Sequence, residues 1–338
     1  MAWVFEGTVL PDDEPGRVVV GTGHAEALPG RFALTGLVDA HCHLTVADDG
    51  PYLDGDLAAP RLEALAREGV VAVRDVGGDR SVTLDLTRGT VAGRPTVLAA
   101  GRFLAPAGRY FPRLHVPVPA EELVAAVETE VDAGASWVKI VADFPAIDPD
   151  GSFDRGSNAP SYDEATLAAA VTAAHDRGAR VAAHCNDPHV EALVRIGVDS
   201  IEHGMAMTES ALRELGARGG AWTPTLGASV GSLRRDGALE TAEQVASIYR
   251  ELLPVAVGCG VTVLAGTDVV CRLHQEVALL AELGLTSEQA LAAGSTSAQV
   301  FLRLEPGEDL VTYDRDPRED PSVLRTPSAV VIAGVRVL

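Results

Sequence analysis

Two imidazoles two residues apart, His41 and His43 in Ala-His-Cys-His-Leu, can present both rings on one side of an extended segment, because side chains at i and i+2 share a face. Both can then reach one cation. Taken alone, the His-x-His spacing fits a structural or accidental pair equally well. His184 in Ala-Ala-His-Cys-Asn and His203 in Ile-Glu-His-Gly, one at a time, read more simply as satisfied polar residues at strand ends. Asp268 in Ala-Gly-Thr-Asp reads equally as a turn or cap residue, since Thr and Asp after glycine commonly bind local backbone groups. Lys139 in Trp-Val-Lys-Ile resists a bland reading. An ammonium inside an apolar strand is costly to desolvate, and burial favours the neutral amine. A neutral amine can add carbon dioxide and become a carbamate, whose two oxygens can bridge two cations.

These six positions gain force from where they fall along the chain. From about Leu34 onward, short runs rich in Val, Ala and Ile alternate with amphipathic helical stretches, the pattern of βα units around a parallel sheet. The expected strands are 34–39, 70–75, 96–100, 137–141, 180–184, 200–203, 221–224 and 261–266. Expected helices at 121–132, 163–177, 188–196, 209–217 and 240–259 carry apolar residues at three- and four-residue spacing. Thr208 opens one of them, and residues 161–164 have the form of a capping box. Gly69, Gly134, Gly178, Gly197 and Gly258 each precede a strand, where a left-handed turn ends a helix.

Eight βα units in series predict an α/β fold, a (β/α)8 TIM barrel over residues 34–304. Catalytic side chains in such a barrel gather where strands end. His41 and His43 follow the first strand, Lys139 lies in the fourth, and His184, His203 and Asp268 end the fifth, sixth and eighth. Segments 1–33 and 305–338 break the rhythm with short strands and turns, and are expected to pair as a small β-sandwich-like module beside the barrel.

Composition narrows the function classes. The 338 residues, 47% hydrophobic, suffice for a large core, and a net charge of −21 argues against a nucleic-acid groove or an anionic membrane as partner. A small-molecule substrate fits better, and a homo-oligomer is compatible. Cys42, Cys185, Cys259 and Cys271 form no Cys-x-x-Cys pair, which favours a reducing compartment. The first ten residues carry no signal-peptide pattern, and no stretch reaches about 18 uninterrupted apolar residues. The expected location is the cytoplasm.

The whole constellation resembles the amidohydrolase superfamily, in the branch that groups imidazolonepropionase-like enzymes with prolidase-like metal-dependent dipeptidases. The likeness spans nearly the whole chain. It runs through Gly-Leu-Val-Asp-Ala-His-Cys-His-Leu (36–44), Arg-Asp-Val-Gly-Gly (74–78), the Lys139 strand, Val-Asp-Ser-Ile-Glu-His-Gly (198–204), Thr-Pro-Thr-Leu (223–226) and Ala-Gly-Thr-Asp (265–268). Segments 309–314 and 316–321 resemble that family's C-terminal stretch. The resemblance implies a binuclear centre, with His41, His43 and Asp268 on the more buried cation, His184 and His203 on the other, and carboxylated Lys139 bridging. Imidazole and carboxylate ligands favour zinc. Two divalent cations so held would lower the pKa of a bridging water to about 7 and polarise a carbonyl, with Asp268 passing the proton to the leaving group.

Loops should choose the substrate. The segment after the third strand gathers Arg102, Arg109, Tyr110, Arg113 and His115, a basic cluster that could clamp a carboxylate; Arg272 and His274 follow the eighth strand. Tyr162 and Arg155 are candidate lid residues. The chain departs from its relatives at His-Cys-Asn-Asp-Pro (184–188), where many carry His-x-His-Gly, and in lacking Gly-Gly-His after the third strand. The expected reaction is hydrolysis of an amide-type bond in an N-acyl amino acid, dipeptide or cyclic amide. The same centre would also serve lactones, carbamates or organophosphates. A mononuclear deaminase would want His-x-x-Glu after the fifth strand, and a non-catalytic binding barrel would have shed a ligand.

Overall fold

All eight expected strands form, and their Val- and Ala-rich runs are buried on both faces, as helix-covered parallel strands must be. The computed structural model describes residues 1–11, 13–148, 150 and 152–338, without the side chain of Arg155. The strands are β1 (Leu37–Cys42), β2 (Val70–Asp75), β3 (Thr96–Ala99, continued by Phe103–Leu104), β4 (Trp137–Val141), β5 (Arg180–Cys185), β6 (Ser200–His203), β7 (Ala221–Thr223) and β8 (Thr262–Val263). β1, β2 and the first part of β3 form one parallel ladder. The second part of β3 opens another, which runs on through β4, β5, β6, β7 and β8. Between the two parts lies Gly101 (φ 72°), whose missing Cβ leaves room for the Glu130 carboxylate.

β8 is shorter than expected because residues 264–268 turn their backbone groups elsewhere. Ala40 N–H donates to Ala265 O at 2.9 Å and Asp268 N–H to His41 O at 2.7 Å, which ties the eighth unit to β1. β1 begins later than expected for a related reason. Phe32–Leu34 pairs with Leu310–Tyr313, and Gly36 (φ 113°) turns the chain from that pairing into β1. The terminal segments therefore do pair. They build one seven-stranded sheet in the order Val335–Arg336, Ala329–Ile332, Leu310–Tyr313, Phe32–Leu34, Ala2–Val9, Glu14–Gly21, with Ala25–Ala27 also along Ala2–Val9.

Helix ends follow local chemistry. Thr208 caps Glu209–Ala217 by accepting from Ala211 N–H. Helix Glu164–Asp176 is capped by Asp163, which accepts from Thr166 N–H, two residues beyond the expected Ser161. Gly69, Gly134, Gly178 and Gly197 have φ of 84°, 111°, 79° and 106°, whereas Gly258 stays within Leu239–Gly258 and Gly260 makes the left-handed turn. Among the described residues, no helix is long and apolar enough to cross a membrane.

Small side chains packed on one another from the parallel strands, among them Val38, Ala40, Ala72, Ala182 and Ala221, leave room for Trp137. Its indole lies between two guanidinium groups, Arg180 at 4.1 Å and Arg74 at 4.4 Å from the ring centroid. This charged and aromatic layer is the floor on which the strand-end residues stand.

Candidate metal centre

The six candidate ligands read from the sequence converge. His41, His43, Lys139, His184, His203 and Asp268 line one cavity of about 400 Å³ at the C-terminal ends of the strands. Ring centroids are 5.2 Å apart for His41–His43 and for His41–His203, and 4.4 Å for His184–His203. Donor atoms of His41, His43 and Asp268 all lie within 4.8 Å of one another.

Three of the four imidazoles are oriented from behind. His41 Nδ1 is 2.6 Å from Glu202 Oε2, His43 Nδ1 donates to Gly77 O at 2.8 Å, and His203 Nδ1 is 2.6 Å from Thr225 Oγ1. Thr225 donates its own proton to Pro224 O, so its oxygen must accept from His203. These partners assign the Nδ1–H tautomer and leave the Nε2 lone pairs free to bind a cation. His184 is turned the other way: its Nε2 lies 3.4 Å from Asn186 Nδ2 and 4.0 Å from Asp143 Oδ1. Burial, then neighbouring positive charge, holds His41, His184 and His203 well below the ordinary histidine range. Neutral rings are what cation binding requires.

Lys139 is 1% exposed and its Nζ has no hydrogen-bond partner, nor does the buried Nε2 of His41. Burial brings the lysine down to about 8, against the pull of Glu202 and Asp268. Buried polar atoms without partners are rare. Two of them facing one cavity beside neutral imidazoles and a carboxylate have the donor chemistry of a divalent-cation site.

Buried carboxylates brace the loops that carry the ligands. Asp39 accepts from His41 N–H and from the Thr267 amide and hydroxyl, so it joins the His-x-His strand to the Asp268 turn. Asp75 accepts from Leu44 and Gly77 N–H, and Glu276 from Leu226 and Gly227 N–H. Burial raises all three, to about 6, 7 and 8 respectively. Glu202 is shared between His41, Arg74 Nη2 at 2.9 Å and Ser200 Oγ at 2.6 Å. His203, Thr225 and Asp268 adopt left-handed backbone conformations with φ of 67°, 48° and 56°, a cost tolerated where surrounding contacts over-determine the site. Asp143, Cys185 and His189 also have donor atoms within 4.8 Å, but the Asp143 oxygens already accept from Asn186 and Asp187 N–H.

The expected substrate contacts divide. Tyr110 lines the cavity, together with Phe103, Phe111, Leu114 and Phe144. Arg109, Arg113, His115, Arg272 and His274 do not. Arg109 donates to Phe144 O and Ser157 O, and Arg113 lies 4.3 Å over the Tyr52 ring. His115 Nδ1 lies 3.0 Å from Phe111 O. Arg272 pairs with Glu68, Arg102 pairs with Glu130 at 2.7 Å, and His274 sits on helix Leu273–Glu282. Tyr162 is buried and donates to Val118 O, so it is a packing residue rather than a lid; the Arg155 side chain lies outside the described residues.

Sequence reasoning missed Glu202, Arg74, Asp39 and Thr225. Arg74 and Glu202 carried the signal that singled out Lys139, a charge inside an apolar strand. Asp39, in Leu-Val-Asp-Ala, carried it too; Thr225 gave no such sign.

No known protein-family profile matches the chain. Over 98% of its length it is 32% identical to the uncharacterized protein Rv2915c of Mycobacterium tuberculosis and to Mb2939c of Mycobacterium bovis, covering 90% of each. Similar solved structures each cover 99% of the chain. A prolidase complexed with N-methylphosphonate-L-proline has a TM-score of 0.79 at 25% identity, over 99% of that chain. A Xaa-Pro dipeptidase with bound methionine has 0.81 at 21% over 99%, and Aspergillus niger ochratoxinase 0.79 at 19% over 95%.

Proposed function

Because the chain belongs to the prolidase-like branch of the amidohydrolase superfamily, we propose that it hydrolyses an amide-type carbon–nitrogen bond in the cavity over β1, β4, β5, β6 and β8. The reading rests above all on the buried, partnerless Lys139 Nζ facing three oriented imidazoles, a fourth imidazole and the Asp268 carboxylate. Two divalent cations, zinc by ligand type, would be held by His41, His43, His184, His203 and Asp268 together with Lys139 as a carbamate. Carbamate formation joins the neutral amine to carbon dioxide and releases one proton. Bound cations supply electrophilic pull on the scissile carbonyl and acidify water at neutral pH.

The chain's own groups do the rest. Asp268 takes the proton from the attacking water on its carboxylate and returns it to the leaving nitrogen. Tyr110, whose phenol burial holds strongly in the protonated form, offers a hydrogen bond to substrate from the cavity wall. Phe103, Phe111, Leu114 and Phe144 exclude bulk water, which strengthens every polar contact inside.

Metal analysis coupled to an amide and ester hydrolysis screen tests this. The expected result is close to two cations per chain and turnover of amides. A folded sample that binds no metal after supplementation and cleaves neither class rejects the proposal.

A further inference from the structure

Apart from Asp48, the residues that surround the six candidate ligands in the cavity are apolar or aromatic. Phe103 and Tyr110 have ring centroids 4.9 Å apart, Tyr110 and Phe144 5.1 Å, Phe111 and Phe144 5.4 Å, and Phe144 lies 5.4 Å from His184. Among the described residues, Lys139 is the one lysine or arginine lining this cavity, and the one acid beyond the ligands is Asp48. The nearby guanidinium groups are engaged elsewhere. Arg61 donates to the carbonyls of His43, Leu44 and Val46 and pairs with Asp48 at 2.6 Å. Arg109 holds Phe144 O, Arg113 covers Tyr52, and Arg272 pairs with Glu68.

A dipeptide or N-acyl amino acid places a carboxylate a few bonds from its scissile nitrogen. With bound cations engaged by the scissile carbonyl and the attacking water, that carboxylate would lie against this wall and shed water without a basic side chain to pair with, and an unpaired buried charge is strongly disfavoured. An aryl group would instead find ring partners at ordinary stacking distances. We infer that the cavity selects an uncharged amide bearing an aryl-sized apolar substituent, and rejects the carboxylate-bearing analogue. This inference rests on the hydrolytic reading for the bond cleaved, but not for the selection itself.

N-Phenylacetyl-phenethylamine and N-phenylacetyl-phenylalanine differ only by the carboxylate. Their ketomethylene analogues, which lack the scissile nitrogen, give the binding readout by titration calorimetry on the metal-loaded protein. The neutral analogue should bind at least about 100-fold more tightly, and the neutral amide should show a similar advantage in kcat/KM. If the neutral analogue binds preferentially but neither amide is cleaved, the selection stands and the hydrolytic proposal falls. Equal or tighter binding of the carboxylate analogue overturns the inference. If that binding is lost in Arg272→Ala, the carboxylate belongs to the adjoining depression lined by Arg61, Arg272 and Gln275. Absence of binding by the neutral analogue overturns it as well.

Discussion

Replacing Glu202 by glutamine should damage both the fold and the cation site, and the two losses can be measured apart. In the native floor, the fully buried Glu202 is the carboxylate paired with the fully buried Arg74 and also the partner of His41 Nδ1. Glu202→Gln leaves the Arg74 charge without an opposite charge, a loss of about 3–5 kcal/mol for a buried pair broken on one side. That is a large share of the roughly 5–15 kcal/mol that separates most folded domains from their unfolded chains. The new amide can also donate to His41 Nδ1, which would move the ring proton to Nε2 and remove the lone pair that faces the cavity. Loss of such an orienting partner costs about 10–100-fold in metal affinity. Urea denaturation in excess chelator isolates the first effect, and competition with a chromophoric chelator on folded protein isolates the second. Apo stability within about 0.5 kcal/mol of wild type would refute the argument for the floor. Unchanged metal affinity would refute the argument for the tautomer.

Thr225→Val keeps the shape but leaves His203 Nδ1–H unpartnered, so cation affinity should drop about 10–100-fold and be restored by Thr225→Ser; equal affinity in all three proteins would remove Thr225 from this role. Lys139→Met should lower the cation content per chain and reduce kcat/KM by about 10³-fold, the scale of several kcal/mol of charge stabilisation, as read by metal analysis and steady-state kinetics. Reactivation of metal-free wild type with zinc at a fixed concentration of dissolved carbon dioxide should quicken as pH rises toward about 8, where Lys139 gives up its proton, and a pH-independent rate under that condition would count against carbamate formation. Glu276, raised from 4.5 to about 8 by burial, binds its proton more tightly folded than unfolded. Its contribution is therefore fully present below pH 4.5 and is lost as pH rises toward 8, by about 1.4 kcal/mol per pH unit at most. Wild-type stability should fall over that range relative to Glu276→Gln, and parallel urea-derived profiles would contradict this.

How far the sequence reached depended on whether a residue's environment was local. The eight strands were legible because buried parallel strands need unbroken apolar runs, and the six cavity-lining positions because they recur together in or just after such runs, although most of them taken alone have a simpler use. Thr208 was a readable cap, since the side chain and amide it joins are three residues apart. The arginine-rich loop misled because a guanidinium is satisfied equally by a substrate carboxylate, a distant backbone carbonyl or an aromatic face. Arg109 took the second and Arg113 the third, through Phe144 and Tyr52. Neither partner is near in sequence. The left-handed backbone at His203, Thr225 and Asp268 was hidden for a similar reason, because bonds from other strands impose it rather than the residue's own preference.

The hydrogen bond from Asp268 to His41, and the parallel bridge between Cys42 and Asp268, join chain positions more than two hundred residues apart. On the proposed centre, a nascent chain displaying both N-terminal imidazoles would lack the Asp268 carboxylate until the eighth unit has been made and has docked. Completion of the cation position that His41, His43 and Asp268 would share thus becomes a late event, a seal rather than a seed. Truncated chains ending before residue 268 should hold less metal per chain than the whole protein.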